Sequence, residues 1–180
     1  MNPQRRPLFE SALVVLIPEA DGLVASFRER YTPSAAEGMP AHITINYPFQ
    51  PSEPDREFTI DQLASLFSGF HSTQFSLTEI CSSSDTLYLA VEPEQPFRKL
   101  IEAVADKYPE SPPYGGIHDD VIPHVTVAEP RTESEFNSII QEFALASVGK
   151  LPIKAWAREV WLMDHMGSRW IKRLPFQLAR

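Results

Sequence analysis

Two short strings in the sequence could place an imidazole and a hydroxyl side by side. They are Pro40-Ala41-His42-Ile43-Thr44-Ile45 and Pro123-His124-Val125-Thr126-Val127. Each alternates a polar with an apolar residue directly after a proline, which is the pattern of a half-buried strand. Period-2 geometry then turns His42 and Thr44 to one face while Ile43 and Ile45 anchor the other. The same rule pairs His124 with Thr126 over Val125 and Val127. Same-face neighbours lie about 7 Å apart along a strand, which suits two groups reaching one tetrahedral phosphate. Imidazole gives or takes a proton near neutral pH, and a hydroxyl donates to a phosphate oxygen. With 5 His and 8 Thr in 180 residues, chance supplies roughly a quarter of one His-x-Thr match, yet there are three. The third, His71-Ser72-Thr73, has a polar middle residue and sits at a helix-to-strand junction, so His71 reads as a surface residue. A single copy would read as a strand histidine bonded to backbone; two copies at matching places point to chemistry.

The other reactive residue types are less organised. Cys81 is the only cysteine; it cannot form an internal disulfide or a Cys-rich zinc site and reads as a small, partly buried hydrophobe. Two histidines without nearby cysteines or paired carboxylates fall short of a catalytic zinc's three ligands, so no metal and no cofactor are expected. Asp119 and Asp120 would repel a phosphate and read as solvated loop charges. His118 and His165 lack a Thr partner and read as loop residues. Tyr114, in the Pro-Gly loop before the second motif, is the candidate substrate-binding residue, by stacking on a base or lining a cleft mouth; loop packing is its other reading. Tyr47 and Phe49 fall on the core-facing parity of their strand unless Pro48 breaks it. Trp156, Trp161 and Trp170 read as hairpin core. Gly115-Gly116 lacks the spacing of a phosphate loop.

The elements that must position these residues follow from periodicity. Ser11–Ile17 reads as a buried strand, and Leu23, Phe27 and Tyr31 mark one face of a helix. A strand is expected over 41–49, a helix over 61–70, and strands over 74–80 and 87–91. A helix starts near Pro96, with Phe97, Leu100, Ile101 and Val104 as its apolar face. Residues 109–116 form a loop and 121–128 a strand. Thr132 with Glu135 is a capping box opening a helix to about Ala146. Residues 153–163 and 169–178 close the chain as strands. Strand–helix–hairpin thus occurs twice, around 41–91 and 121–178. This order predicts an α+β fold: a bilobal, pseudo-symmetric, duplicated arrangement of antiparallel-rich sheets flanked by helices, with residues 1–180 as one bilobal domain.

Composition narrows the function classes. The chain is 43% hydrophobic and 22% charged, with a formal charge of −8, which excludes wholesale disorder and argues against a coat for long nucleic acid. The apolar run at 11–17 is too short to span a membrane. A cytoplasmic, monomeric protein with no membrane partner is expected. The charge is uneven: residues 150–180 are basic and residues 1–90 acidic, so the last hairpin is either a solvated face or a basic rim beside a cleft.

The paired motifs, with the wider strings HITINYPF, PYGGIHDDVIPHVTVAEP and AREVWLMDHMGSRWIKRLPFQL, resemble the 2H phosphoesterase superfamily, in its 2′-5′ RNA ligase-like branch. The resemblance runs from about residue 10 to 178. It implies two lobes with one His-x-Thr motif each, facing across a cleft. It also implies metal-independent cleavage of a 2′,3′-cyclic or 2′-5′ phosphodiester on an RNA end or small nucleotide. His42 and His124 would be the acid–base pair, with Thr44 and Thr126 as phosphate clamps. The alternative is a non-catalytic module of the same fold that binds nucleotides or RNA ends.

Overall fold

The computed structural model describes residues 10–51, 56–117 and 120–180. His118 and Asp119 lie outside this range. Within these residues eight strands form one antiparallel sheet: β1 (Glu10–Leu16), β2 (His42–Asn46), β3 (Thr73–Ser82), β4 (Leu87–Glu92), β5 (His124–Ala128), β6 (Ile153–Ala157), β7 (Glu159–Met166) and β8 (Arg169–Gln177). Their order across the sheet is β6-β3-β4-β5-β2-β1-β7-β8. Among the described residues five α-helices accompany them: α1 (Asp21–Tyr31), the single turn α2 (Pro33–Ala36), α3 (Arg56–Ser68), α4 (Gln95–Lys107) and α5 (Glu133–Ser147).

The order is symmetric about the junction of β5 and β2. On each side stands a strand–helix–strand unit, β1-α1-β2 on one and β4-α4-β5 on the other. The expected duplication therefore has different boundaries from 41–91 and 121–178. The chain crosses the junction after β2 and again after β6, so each four-stranded half takes strands from both halves of the sequence. Residues 153–163, expected as one strand, divide at Arg158: β6 pairs with β3 at one edge of the sheet, while β7 pairs with β1 and β8.

One face of the sheet is sealed by helices. Leu23, Val24 and Phe27 of α1 are buried as the helical spacing predicts. Phe27 meets Phe143 of α5 edge-on at 5.0 Å, and Phe75 of β3 meets Phe97 of α4 at 4.9 Å. Such pairs add about 0.5–1.5 kcal/mol beyond the burial of each ring. Helix α5 starts on the expected cap, with Thr132 Oγ1 accepting from the Glu135 amide at 3.1 Å. Ile43, Ile45, Val125 and Val127 point into this core and are at most 1% exposed. That parity forces the residues between them onto the opposite face, where the helices leave the sheet open.

Candidate active site

The two His-x-Thr strands are neighbours. β2 and β5 run antiparallel and pair through Ile43 and Val125. This register sets His42 across from Thr126 and Thr44 across from His124. The four side chains thus form the corners of a square on the open face, with the imidazoles on one diagonal. Cross-strand neighbours lie about 5 Å apart at Cβ, closer than the two partners within either motif.

Both imidazoles are held identically. His42 Nδ1 lies 2.7 Å from the Pro40 carbonyl and His124 Nδ1 2.7 Å from the Ile122 carbonyl, each two residues upstream. A carbonyl only accepts, so Nδ1 carries the hydrogen and Nε2 keeps its lone pair in the neutral ring. The bond to backbone and the chemical role are therefore compatible, through different nitrogens. The acceptor is Pro40 itself in the first motif and Ile122, the residue before Pro123, in the second.

The rings are electrostatically unequal. Burial, then the nearby Arg28 guanidinium, lowers the His42 pKa to about 3, and burial alone lowers that of His124. Arg28 is the main residue that periodicity missed. It lies on α1, is 2% exposed, and lines the cavity above the square. One terminal nitrogen donates to the Thr126 carbonyl at 2.7 Å, and the other lies 3.2 Å from the Met39 and Pro40 carbonyls. One guanidinium therefore ties the approach to the first motif to the strand of the second. Its signal was present in the sequence, as a cation on the apolar stripe Val24–Phe27–Arg28–Tyr31.

The cavity has a volume of about 750 Å³ and is lined by all four motif residues. Tyr114 also lines it, and its hydroxyl shares a hydrogen bond with the Thr44 side chain. Tyr114 has φ 52°, a left-handed conformation uncommon outside glycine. Gly115 and Gly116 follow at positive φ, and the Tyr114 amide donates to the Tyr47 carbonyl at 2.6 Å. Buried Ser111 anchors the same loop, its carbonyl accepting from Asn46 Nδ2 at 2.9 Å and its Oγ accepting from the Gln50 amide at 2.8 Å. Tyr88 of β4 brings its ring to 5.0 Å from His124.

Several sequence expectations need correction. Tyr47 is not core: β2 ends at Asn46 and β1 slips register between Leu13 and Val14, so alternation fails and Tyr47 faces the cavity. Phe49 is core, edge-on to Tyr108. His165 is no loop residue; it is buried on β7, with Nε2 2.9 Å from a Glu37 carboxylate oxygen. Trp170 is both packed and cavity-lining, whereas Trp156 is 41% exposed beneath Arg158. His71 is exposed as expected. Asp120 is an exposed loop charge, though its carboxylate pairs with Arg98 and reaches the cavity rim. The basic residues of the last hairpin form no rim. Lys154 lies on β6 and Arg169, Lys172 and Arg173 on β8, at opposite edges of the sheet, and none lines the cavity.

Comparison with known proteins agrees with this arrangement. Residues 17–169 match the profile of the 2′-5′ RNA ligase superfamily. The chain belongs to this family. A Bacillus licheniformis protein named "Putative phosphoesterase" is 26% identical over 137 residues, covering 71% of this chain and 75% of its own. A Staphylococcus aureus protein of the same name is 26% identical over 128 residues, covering 69% and 73%. Escherichia coli LigT, solved with 3′-AMP, superposes with a TM-score of 0.59 at 14% identity, over 95% of this chain and 98% of LigT. That similarity establishes the curled antiparallel sheet with its flanking helices. Among the described residues no helix is long and apolar enough to cross a membrane, and no three His, Cys, Asp or Glu side chains cluster as metal ligands.

Proposed function

We propose that this family member is a phosphodiesterase that opens 2′,3′-cyclic or 2′-5′ phosphodiesters of small nucleotides or RNA ends by two-histidine acid–base catalysis. The observation that carries the reading is the square of His42, Thr126, His124 and Thr44 across one antiparallel register, at the floor of a cavity of nucleotide size. In-line displacement at phosphorus needs a proton acceptor for the attacking water and a proton donor for the departing oxygen on the opposite side. Imidazoles on a diagonal provide these roles on opposite sides of a phosphate centred over the square. Thr44 and Thr126, on the other diagonal, donate to the non-bridging oxygens as charge develops. Burial and the Arg28 guanidinium keep the His42 ring neutral at rest, with its Nε2 lone pair unprotonated, so His42 takes the acceptor's role and His124 the donor's. No step requires a metal ion.

The test is hydrolysis of 2′,3′-cyclic nucleotides, with EDTA present, by the wild type, His42→Ala and His124→Ala. Activity that survives chelation and falls by at least about 100-fold in each variant is expected, since positioned acid–base groups contribute about 10²–10⁴ each. Loss of activity with chelator, or full activity in either variant, rejects the mechanism. Tight nucleotide binding with no product in the wild type would favour the non-catalytic module.

A further inference from the structure

Beyond the square, the cavity continues along β1 to a wall of different chemistry. This wall is formed by Glu10, Glu37, Tyr47 and Trp170. The rings of Tyr47 and Trp170 meet at 6.0 Å and 63°, and Trp170 is backed by the His165 ring at 5.1 Å. The Glu10 carboxylate is held from behind by a hydrogen bond, and the Glu37 carboxylate has the His165 ring beside it. Glu10 Oε1 accepts from the Tyr47 hydroxyl at 2.6 Å, and Glu37 Oε2 lies 2.9 Å from His165 Nε2. The Glu37 backbone is also fixed, its carbonyl accepting from the Trp170 amide at 2.8 Å. Glu37 keeps 34% of its side chain exposed.

A carboxylate is an acceptor-only group with about four lone-pair directions, and these contacts occupy a fraction of them. The wall is therefore an aromatic strip edged by two pre-set acceptors. A donor on the ligand gains a charge-assisted bond there, whereas an acceptor faces like partial charge and gains none. The wall also stands at a useful distance. Tyr47 lies three positions along the chain from Thr44, just past the end of β2, so their backbones are at most about 10 Å apart. A nucleotide whose phosphate sits on the square extends its base about this far.

We propose that this wall is a nucleobase subsite selecting bases with an exocyclic amine at the far edge, cytosine and adenine, over uracil. The proposal rests on the phosphate position given above and names the substrate class of that same site. Cytosine presents an N4 amine where uracil presents the O4 carbonyl, so the two differ at the edge these carboxylates face.

Calorimetric titration with 2′-CMP and 2′-UMP tests the subsite without turnover. About tenfold tighter binding of 2′-CMP is expected. Glu37→Gln and Glu10→Gln should each shrink that ratio, chiefly by weakening the cytidine nucleotide, since glutamine's amide can donate to uracil O4. Equal affinity, tighter 2′-UMP, absence of binding by both, or an unchanged ratio in both variants would overturn the subsite. The parallel assay with 2′,3′-cyclic CMP and UMP separates the two proposals. Base-selective binding without hydrolysis rejects the catalytic reading alone. Hydrolysis of both at equal kcat/KM rejects the subsite alone.

Discussion

Arg28 gives two nearly symmetric histidines different properties. Its guanidinium is buried against three backbone carbonyls and itself has a pKa lowered to about 10, chiefly by desolvation, with Glu129 and Asp21 opposing. In Arg28→Met the cation disappears, so the His42 pKa rises and the acidic limb of kcat/KM against pH should move to higher pH. Arg28→Lys keeps the charge and loses the fork, so the limb should stay while kcat drops. An unmoved limb in Arg28→Met would show that burial alone sets the His42 ring. The threonines make a second prediction at this scale. Thr126→Val preserves volume and removes one of the two hydroxyls proposed to donate to the phosphate. It should lower kcat by about 10²-fold, the scale of losing one oxyanion donor, with melting temperature as the control for folding. A loss confined to KM would mean that Thr126 holds the ground state only.

At the scale of elements, the site depends on packing it does not touch. Helix α1 carries Arg28 on the same stripe as Phe27, and Phe27 is seated by Phe143 on α5. Phe143→Ala should destabilise the fold by about 3–5 kcal/mol in chemical denaturation; a change under about 1 kcal/mol would mean that α5 is dispensable for seating α1. The placement of the candidate residues was legible in the sequence because each sits on a short strand with strict alternation: the shared face of His42, Thr44, His124 and Thr126 follows from the burial of Ile43, Ile45, Val125 and Val127. Tyr114 was legible because the prolines and glycines around it demand an irregular loop, although its contact with Thr44 depends on the latch of Ser111 to Asn46 and Gln50. Tyr88 could have been read from β4, where it alternates with buried Leu87 and Leu89. Glu37 could not, since it follows the short turn α2 where no period applies. The crossing of strands between the halves was equally hidden, because local pattern specifies a strand and not its neighbour.

For the whole molecule, the half-buried imidazoles tie stability to pH. Both are harder to protonate in the folded chain than in the unfolded one, where imidazole titrates near about 6.5. Below that pH the unfolded state binds more protons, so stability falls as pH drops from about 6.5 toward the His42 value of about 3. The Glu129 carboxyl, whose pKa is raised by burial, works in the opposite direction at the acid end. The melting temperature should therefore decline from pH 7 to pH 4.5, and His42→Gln should flatten the decline; parallel curves would show that His42 is not its source. Charge is also distributed by position. The acidic balance of the chain reaches the cavity through Glu10, Glu37, Asp85, Asp120 and Glu129, while the basic residues of the last hairpin stand at the sheet's outer edges.

The junction of β5 and β2 has a practical consequence for redesign. The four residues proposed for bond-breaking stand on the two central strands, while the aromatic and acidic groups that line the rest of the cavity come from flanking strands and loops. Such a layout separates reactivity from selectivity. A library confined to Glu10, Glu37, Tyr88 and Trp170 samples new ligands with the central square left intact, as a lathe accepts new tooling without a new spindle.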